Sequence, residues 1–147
     1  MSPVPQTVLF VCNLNRVRSP MAAGLMRRLY GAGVVAESCG LEPCDEIDPM
    51  VVAVMQEVGV DLIDHQPSGL ADFASAPFDL MVALSEQARP RVEVEAALRG
   101  AAVACWVTED PTGTEGSRET RLEAYRQVRR DLEARIVERF GPPQEWE

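Results

Sequence analysis

Histidine is nearly absent from this chain of 147 residues: His65 stands alone, and a histidine-rich metal site is excluded with it. The four cysteines, Cys12, Cys39, Cys44 and Cys105, show no C-x-x-C spacing, so neither a zinc site nor a disulfide framework is indicated. Positive charge is also short. Lys and Arg total 14 against 23 Asp and Glu, a formal charge of −9 with a pI near 4.6. That balance argues against nucleic acid or an acidic membrane surface as a partner. No apolar run approaches the length of a membrane span, and Met1 to Pro5 lacks the basic and apolar regions of a signal peptide, so a cytoplasmic protein is expected. Nothing calls for a cofactor or a metal.

What is present is enough apolar material, 46% of the chain, to build one compact domain over residues 1–147, with 141–147 expected as a poorly ordered tail. No internal repeat or linker is visible. The chain is organised around Thr7 to Met26. Val8 to Val11 is a continuous apolar run, the pattern of a strand covered on both faces. Ser19 suits a helix N-cap, Pro20 the first helical position, and Met21, Leu25, Met26 and Leu29 recur at helical spacing.

Between strand and helix lies Cys12-x5-Arg18-Ser19. Asn13, Leu14, Asn15, Arg16 and Val17 are enough chain to wrap one tetrahedral oxyanion with inward N–H groups, closed by a helix N-terminus. Unpaired N–H donors, the helix and Arg18 would all favour thiolate over thiol at Cys12. Arg18 can hold two oxygens of the same anion through its planar fork, and Ser19 can donate to the sulfur. A half-buried cysteine with an unrelated arginine is the alternative that the spacing alone leaves open. The strand before the loop and the helix after it favour the functional reading.

These residues, Val8 through Cys12 and Arg18-Ser19-Pro20-Met21-Ala22, resemble the signature loop of the low-molecular-weight protein tyrosine phosphatases, whose fold and loop the thioredoxin-coupled arsenate reductases share. The resemblance spans nearly the whole chain and implies a flavodoxin-like domain. In this chain Leu14 stands where the family usually has glycine, and Val17 where a second cysteine is usual.

Further strands are expected over Val34–Ser38, Phe78–Leu84 and Ala102–Val107, the last two of them buried. Helices are expected from Asp48-Pro49 to Gly59 and from Ser117 to Phe140, with a short turn at Leu70 and Phe73. Gln87 to Leu98 reads as irregular or partly helical. Strands alternating with helices give an α/β fold: a four-stranded parallel sheet with helices on both faces, three layers in all. Ligands in such folds sit beyond the carboxyl ends of the strands. Cys12, the Ser38–Cys44 loop, Ser85 and Asp110 all follow strands and should share that edge.

Phosphoryl transfer to a thiolate needs a nucleophile, a clamp and an acid for the leaving oxygen. Cys12 and its loop supply the first two. Asp110-Pro111 follows the fourth strand and matches the Asp-Pro whose aspartate is the general acid of the resembled family; Glu109 is its local competitor, and a simple turn is the alternative. Asn15, Ser38 and His65 match the family network that braces the loop. The family's tyrosine phosphatases flank the pocket with aromatics, but here the corresponding places hold Cys44-Asp45 and Thr112-Gly113.

The last third looks more like the reductase branch, yet Ala83 to Gln87 carries neither of the two extra cysteines that branch uses. Cys44 is a candidate disulfide partner for Cys12 across the pocket rim. Cys39 and Cys105 read as packing. Three readings follow: a metal-independent phosphomonoesterase, an arsenate reductase served by an external thiol, or a weakly active oxyanion-binding regulatory module. All three take a phosphorylated substrate or an inorganic oxyanion such as phosphate or arsenate. The sequence does not speak to oligomeric state.

Overall fold

The computed structural model describes residues 7–143, the Ala32 side chain apart; the segment Met1 to Pro5 and residues 144–147 of the expected tail lie outside it. Four strands, β1 (Thr7–Cys12), β2 (Val35–Gly40), β3 (Leu80–Ala83) and β4 (Ala102–Cys105), form one parallel sheet in the order β2-β1-β3-β4. Helices α1 (Arg18–Tyr30), α2 (Pro49–Gln56), α3 (Arg89–Arg99) and α4 (Arg118–Phe140) connect or follow them. Short 3-10 turns occur at Gly31–Gly33, Leu70–Phe73 and Pro111–Gly113. This is the α/β three-layer arrangement that the alternation of elements predicts.

The sheet divides the core by parity. Val8, Phe10, Leu80 and Val82 face one side, where α1, α2 and α4 pack with Met21, Val51, Leu132 and Ile136. Leu9, Val11, Cys39, Met81 and Ala83 face the other, where α3 contributes Val92 and Ala96. Successive strand residues point to opposite faces, so a strand apolar throughout must be covered twice. β1 meets this in full: Val8 to Val11 are completely buried.

Three readings are corrected. The segment expected to be irregular or partly helical is the regular helix α3, with Pro90 in its first turn and Gly100 closing it in a left-handed conformation. β4 is an edge strand, not a buried one; Val103 is exposed and Cys105 only half-buried, because apolar content cannot tell an edge from a centre. Ser19 does not cap α1. The helix starts at Arg18 after Val17, and Pro20 is its third residue. The loop closes directly into the helix, leaving the Ser19 hydroxyl for another partner.

Candidate active site

β1 is the inner strand between β2 and β3, and it ends at Cys12, which is paired in register with Gly40. The chain then turns through residues 13–17 into α1. The turn requires a left-handed residue, and Asn15 takes it at φ 54°, alone among the described non-glycine residues. The loop lies on β2's continuation. Leu41, Glu42 and Cys44 donate their N–H groups to the carbonyls of Cys12, Asn13 and Leu14 at 3.0, 2.8 and 3.0 Å. Gly40 is where the two segments touch. A Cβ there would stand 2.6 Å from Asn15 N and 2.7 Å from the Leu14 carbonyl carbon, so only glycine fits.

Above the loop opens a cavity of about 370 Å³ whose walls include Cys12, Arg16, Arg18 and Asp110. Cys12 is 2% exposed and its Sγ lies 2.9 Å from Ser19 Oγ. Ser19 also lies 3.2 Å from the Cys39 carbonyl, which can accept its proton. The hydroxyl thus has two acceptors for one proton, and an anionic sulfur is the stronger one.

Asn15 is completely buried and its amide is fully used. Nδ2 donates to Ser19 Oγ at 2.8 Å and Ser38 Oγ at 2.9 Å. Oδ1 accepts from the Ser68 N–H at 2.8 Å and pairs with His65 Nε2 at 3.1 Å. Two donors and two lone pairs are the whole capacity of the group. Burial, aided by the Arg27 charge, holds His65 below its ordinary value despite the Asn15 bond; because Oδ1 can only accept, the Nε2–H is the donor. Asn15, Ser38 and His65 therefore come together, through Asn15, behind the cysteine.

Arg18 leads α1 and is buried, its Nη1 donating to the Thr108 carbonyl at 3.0 Å. That bond fixes the guanidinium from the β4 side. Asp110 caps the Pro111–Gly113 turn, its Oδ1 accepting from the Thr112 N–H at 3.0 Å and hydroxyl at 2.8 Å. Partial burial pushes its carboxyl up, but the two Thr112 hydrogen bonds and the charges of Arg18 and Arg16 outweigh it and hold the group below the ordinary carboxylate value. Asp110 both starts a turn and lines the cavity. Oδ2 has no hydrogen-bond partner among the described residues.

Leu14, 45% exposed, is part of the rim, and Val17 lines the cavity while packing into the core. Asn13, Leu41, Glu42, Gln87 and Thr112 complete the walls, and no aromatic side chain is among them. Cys44 sits beside Leu14 and outside the cavity lining, its thiol donating to the Glu46 carbonyl at 3.0 Å. Cys39 is buried on the opposite face, where burial, then the nearby Cys12, pushes its thiol up to about 12. All four cysteines are free.

Among the described residues no group of three or more His, Cys, Asp or Glu is placed to hold a metal. Nor is any helix among them long and apolar enough to cross a membrane. Sequence reasoning missed three contributors. The Thr108 carbonyl and Ser68 N–H act through backbone, which leaves no residue-type signal. Ser85 was placed at this edge but not as a partner of the loop, where its Oγ donates to Asn13 Oδ1 at 2.8 Å.

A thiol, a guanidinium and a carboxylate thus line one cavity, a set of groups chemically suited to a tetrahedral oxyanion. Several known proteins are similar to this chain. A family model described as low molecular weight phosphotyrosine protein phosphatase matches residues 7–140. A glutaredoxin arsenate reductase of Synechocystis sp. is 29% identical over 132 residues, 88% of this chain and 92% of that protein. A protein of Ralstonia nicotianae named "probable low molecular weight protein-tyrosine-phosphatase" is 30% identical over 60% of this chain and 61% of its own. Among solved structures, an arsenate reductase in the phosphate binding state superposes with a TM-score of 0.73 at 31% identity, covering 90% of this chain and 95% of that one.

Proposed function

The chain belongs to the low molecular weight phosphotyrosine protein phosphatase family, and from that premise we propose that it is a phosphomonoesterase working through a cysteinyl-phosphate, with no metal in the reaction. The observation that carries the reading is that Cys12, Arg18 and Asp110 line one cavity. A general acid opposite the nucleophile is what an ester leaving group requires.

In the first step Cys12 Sγ attacks phosphorus, the S–P bond forms and the P–O bond breaks. Arg18 and the N–H groups of residues 13–18 hold the equatorial oxygens, whose charge they stabilise throughout. Asp110 gives its proton to the departing oxygen. In the second step the Asp110 carboxylate takes a proton from water, which attacks phosphorus and returns the sulfur as thiolate. Ser19, 2.9 Å from Sγ, swings its proton from the Cys39 carbonyl to the leaving sulfur. Asn15, held by Ser38, His65 and Ser68, keeps Ser19 and the loop in place.

The cavity favours no aromatic ring, so phosphotyrosine is not singled out as the substrate. Arsenate reduction is the second reading, favoured by the reductase relatives. Cys12 would displace hydroxide from arsenate, and an external low-molecular-weight thiol would attack Cys12 Sγ. That releases arsenite and leaves a mixed disulfide, which a second thiol resolves. No second cysteine lines the cavity to do this internally. A weakly active oxyanion-binding module is the third.

Hydrolysis of 4-nitrophenyl phosphate under reducing conditions tests the proposal. Wild type should turn over, and Cys12→Ser should lose turnover while still binding inorganic phosphate. A folded wild type that hydrolyses nothing rejects the phosphatase reading, and arsenate with added thiol is then the assay that decides.

A further inference from the structure

The mechanism uses neither the side chain of Asn13, which lines the cavity, nor Ser85 behind it. Ser85 follows β3, is 1% exposed, and accepts the Ala88 N–H on its Oγ at 3.1 Å while lying 2.8 Å from Asn13 Oδ1. Its single proton goes to Asn13. The reverse sense of the Asn13 amide would set N–H against Ser85 Oγ and leave a buried hydroxyl proton without an acceptor among the described residues. Oδ1 is therefore engaged, and both Nδ2 protons have no partner among the described residues. Nδ2 is not among the buried unpaired atoms, and Asn13 lines the cavity, so these donors open into it.

We propose that Asn13 Nδ2 donates a hydrogen bond to an oxygen of the bound phosphoryl compound, with Ser85 as the positioning residue that aims it. This rests on the reading that the cavity takes a phosphoryl group. The sheet order gives the cavity distinct walls: Leu14 and Leu41 on the β2 side, Asn13 with Gln87 on the β3 side, Asp110 and Thr112 on the β4 side. A directed donor on the β3 side recognises an acceptor oxygen where an aromatic ring would want apolar contact. That oxygen belongs either to the phosphoryl group or to the leaving group.

Binding of inorganic phosphate by calorimetry and hydrolysis of 4-nitrophenyl phosphate distinguish the two sources. In Asn13→Ala, phosphate binding weakened about 10-fold puts the acceptor on the phosphoryl group. Unchanged phosphate binding with kcat/KM about 10-fold lower puts it on the leaving oxygen. Ser85→Ala should show a smaller loss of the same kind, and the double substitution no more than Asn13→Ala alone. A structural role for Ser85 would add in full. Wild-type phosphate binding and kcat/KM in Asn13→Ala, or full additivity in the cycle, overturn the proposal. If Ser85→Ala does not fold, Asn13→Ala alone decides. The calorimetric arm needs no turnover, so loosened phosphate in a protein that hydrolyses nothing upholds this proposal while rejecting the phosphatase one.

Discussion

As the proposed general acid, Asp110 carries a tension that its chemistry must resolve. A general acid needs a proton, yet Thr112, Arg18 and Arg16 keep this carboxylate ionised in the free protein at neutral pH. The proton then arrives with the substrate, as the phosphomonoester monoanion, whose second ionisation lies near pH ~6. kcat/KM is expected to fall as pH rises through that value. Asp110→Asn should lower kcat by roughly 100-fold. The deficit should be larger for phenyl phosphate than for 4-nitrophenyl phosphate, whose leaving oxygen needs the proton less. Equal deficits across leaving groups would reduce Asp110 to the cap of its turn.

At the scale of elements, the site is a junction of two strand ends, and Gly40 is its tightest point. Gly40→Ala would drive a methyl group into the backbone of Leu14 and Asn15, which cannot swing aside as a side chain would. A loss of about 1–3 kcal/mol in urea unfolding is expected, together with weaker phosphate binding. Wild-type affinity in that variant would mean that the loop tolerates displacement.

Elements were legible wherever one local pattern governed them. The buried run of β1, the Asp48-Pro49 start of α2 and the apolar steps of α4 all stand as read. α3 was obscured because only Val92 and Ala96 are buried among its charged residues. Ser19 looked like a cap because composition cannot show that Cys12 and Asn15 claim its hydroxyl. The candidate residues themselves were legible from Cys12-x5-Arg18 and Asp110-Pro111. Contacts such as Arg18 to Thr108 and Asn13 to Ser85 join residues far apart in the chain, and no local spacing encodes them.

Across the whole molecule, negative charge dominates, and α4 answers it by pairing with α2. Glu57 receives Arg126 and Arg129, and their hydrogen bonds hold its carboxyl down at about 2. A depressed carboxylate stabilises the fold above its ordinary pKa, and that contribution is lost as pH falls from about 4.5 toward about 2. The group is partly exposed, so solvent screening limits its worth to about 1 kcal/mol. Glu57→Gln should therefore be less stable than wild type by about that much at neutral pH, with the two urea midpoints converging in acid. A gap independent of pH would point to lost packing instead.

The proposed nucleophile, Cys12, hangs from the one strand flanked on both sides by β2 and β3, and the residues leading to it are wholly buried. The proposed acid, Asp110, follows the loop after β4, at the open edge of the sheet. The two halves of the chemistry thus sit at opposite ends of the molecule's scale of local opening. Amide hydrogens of Leu9 to Val11 should exchange only through global unfolding, while those of Thr112 to Thr114 exchange through small excursions far below it. Under rising denaturant, binding of phosphate by the loop should persist until the fold itself gives way, and turnover should fade first. The protein would pass through a window in which it still grips its anion but has lost the means to release a leaving group.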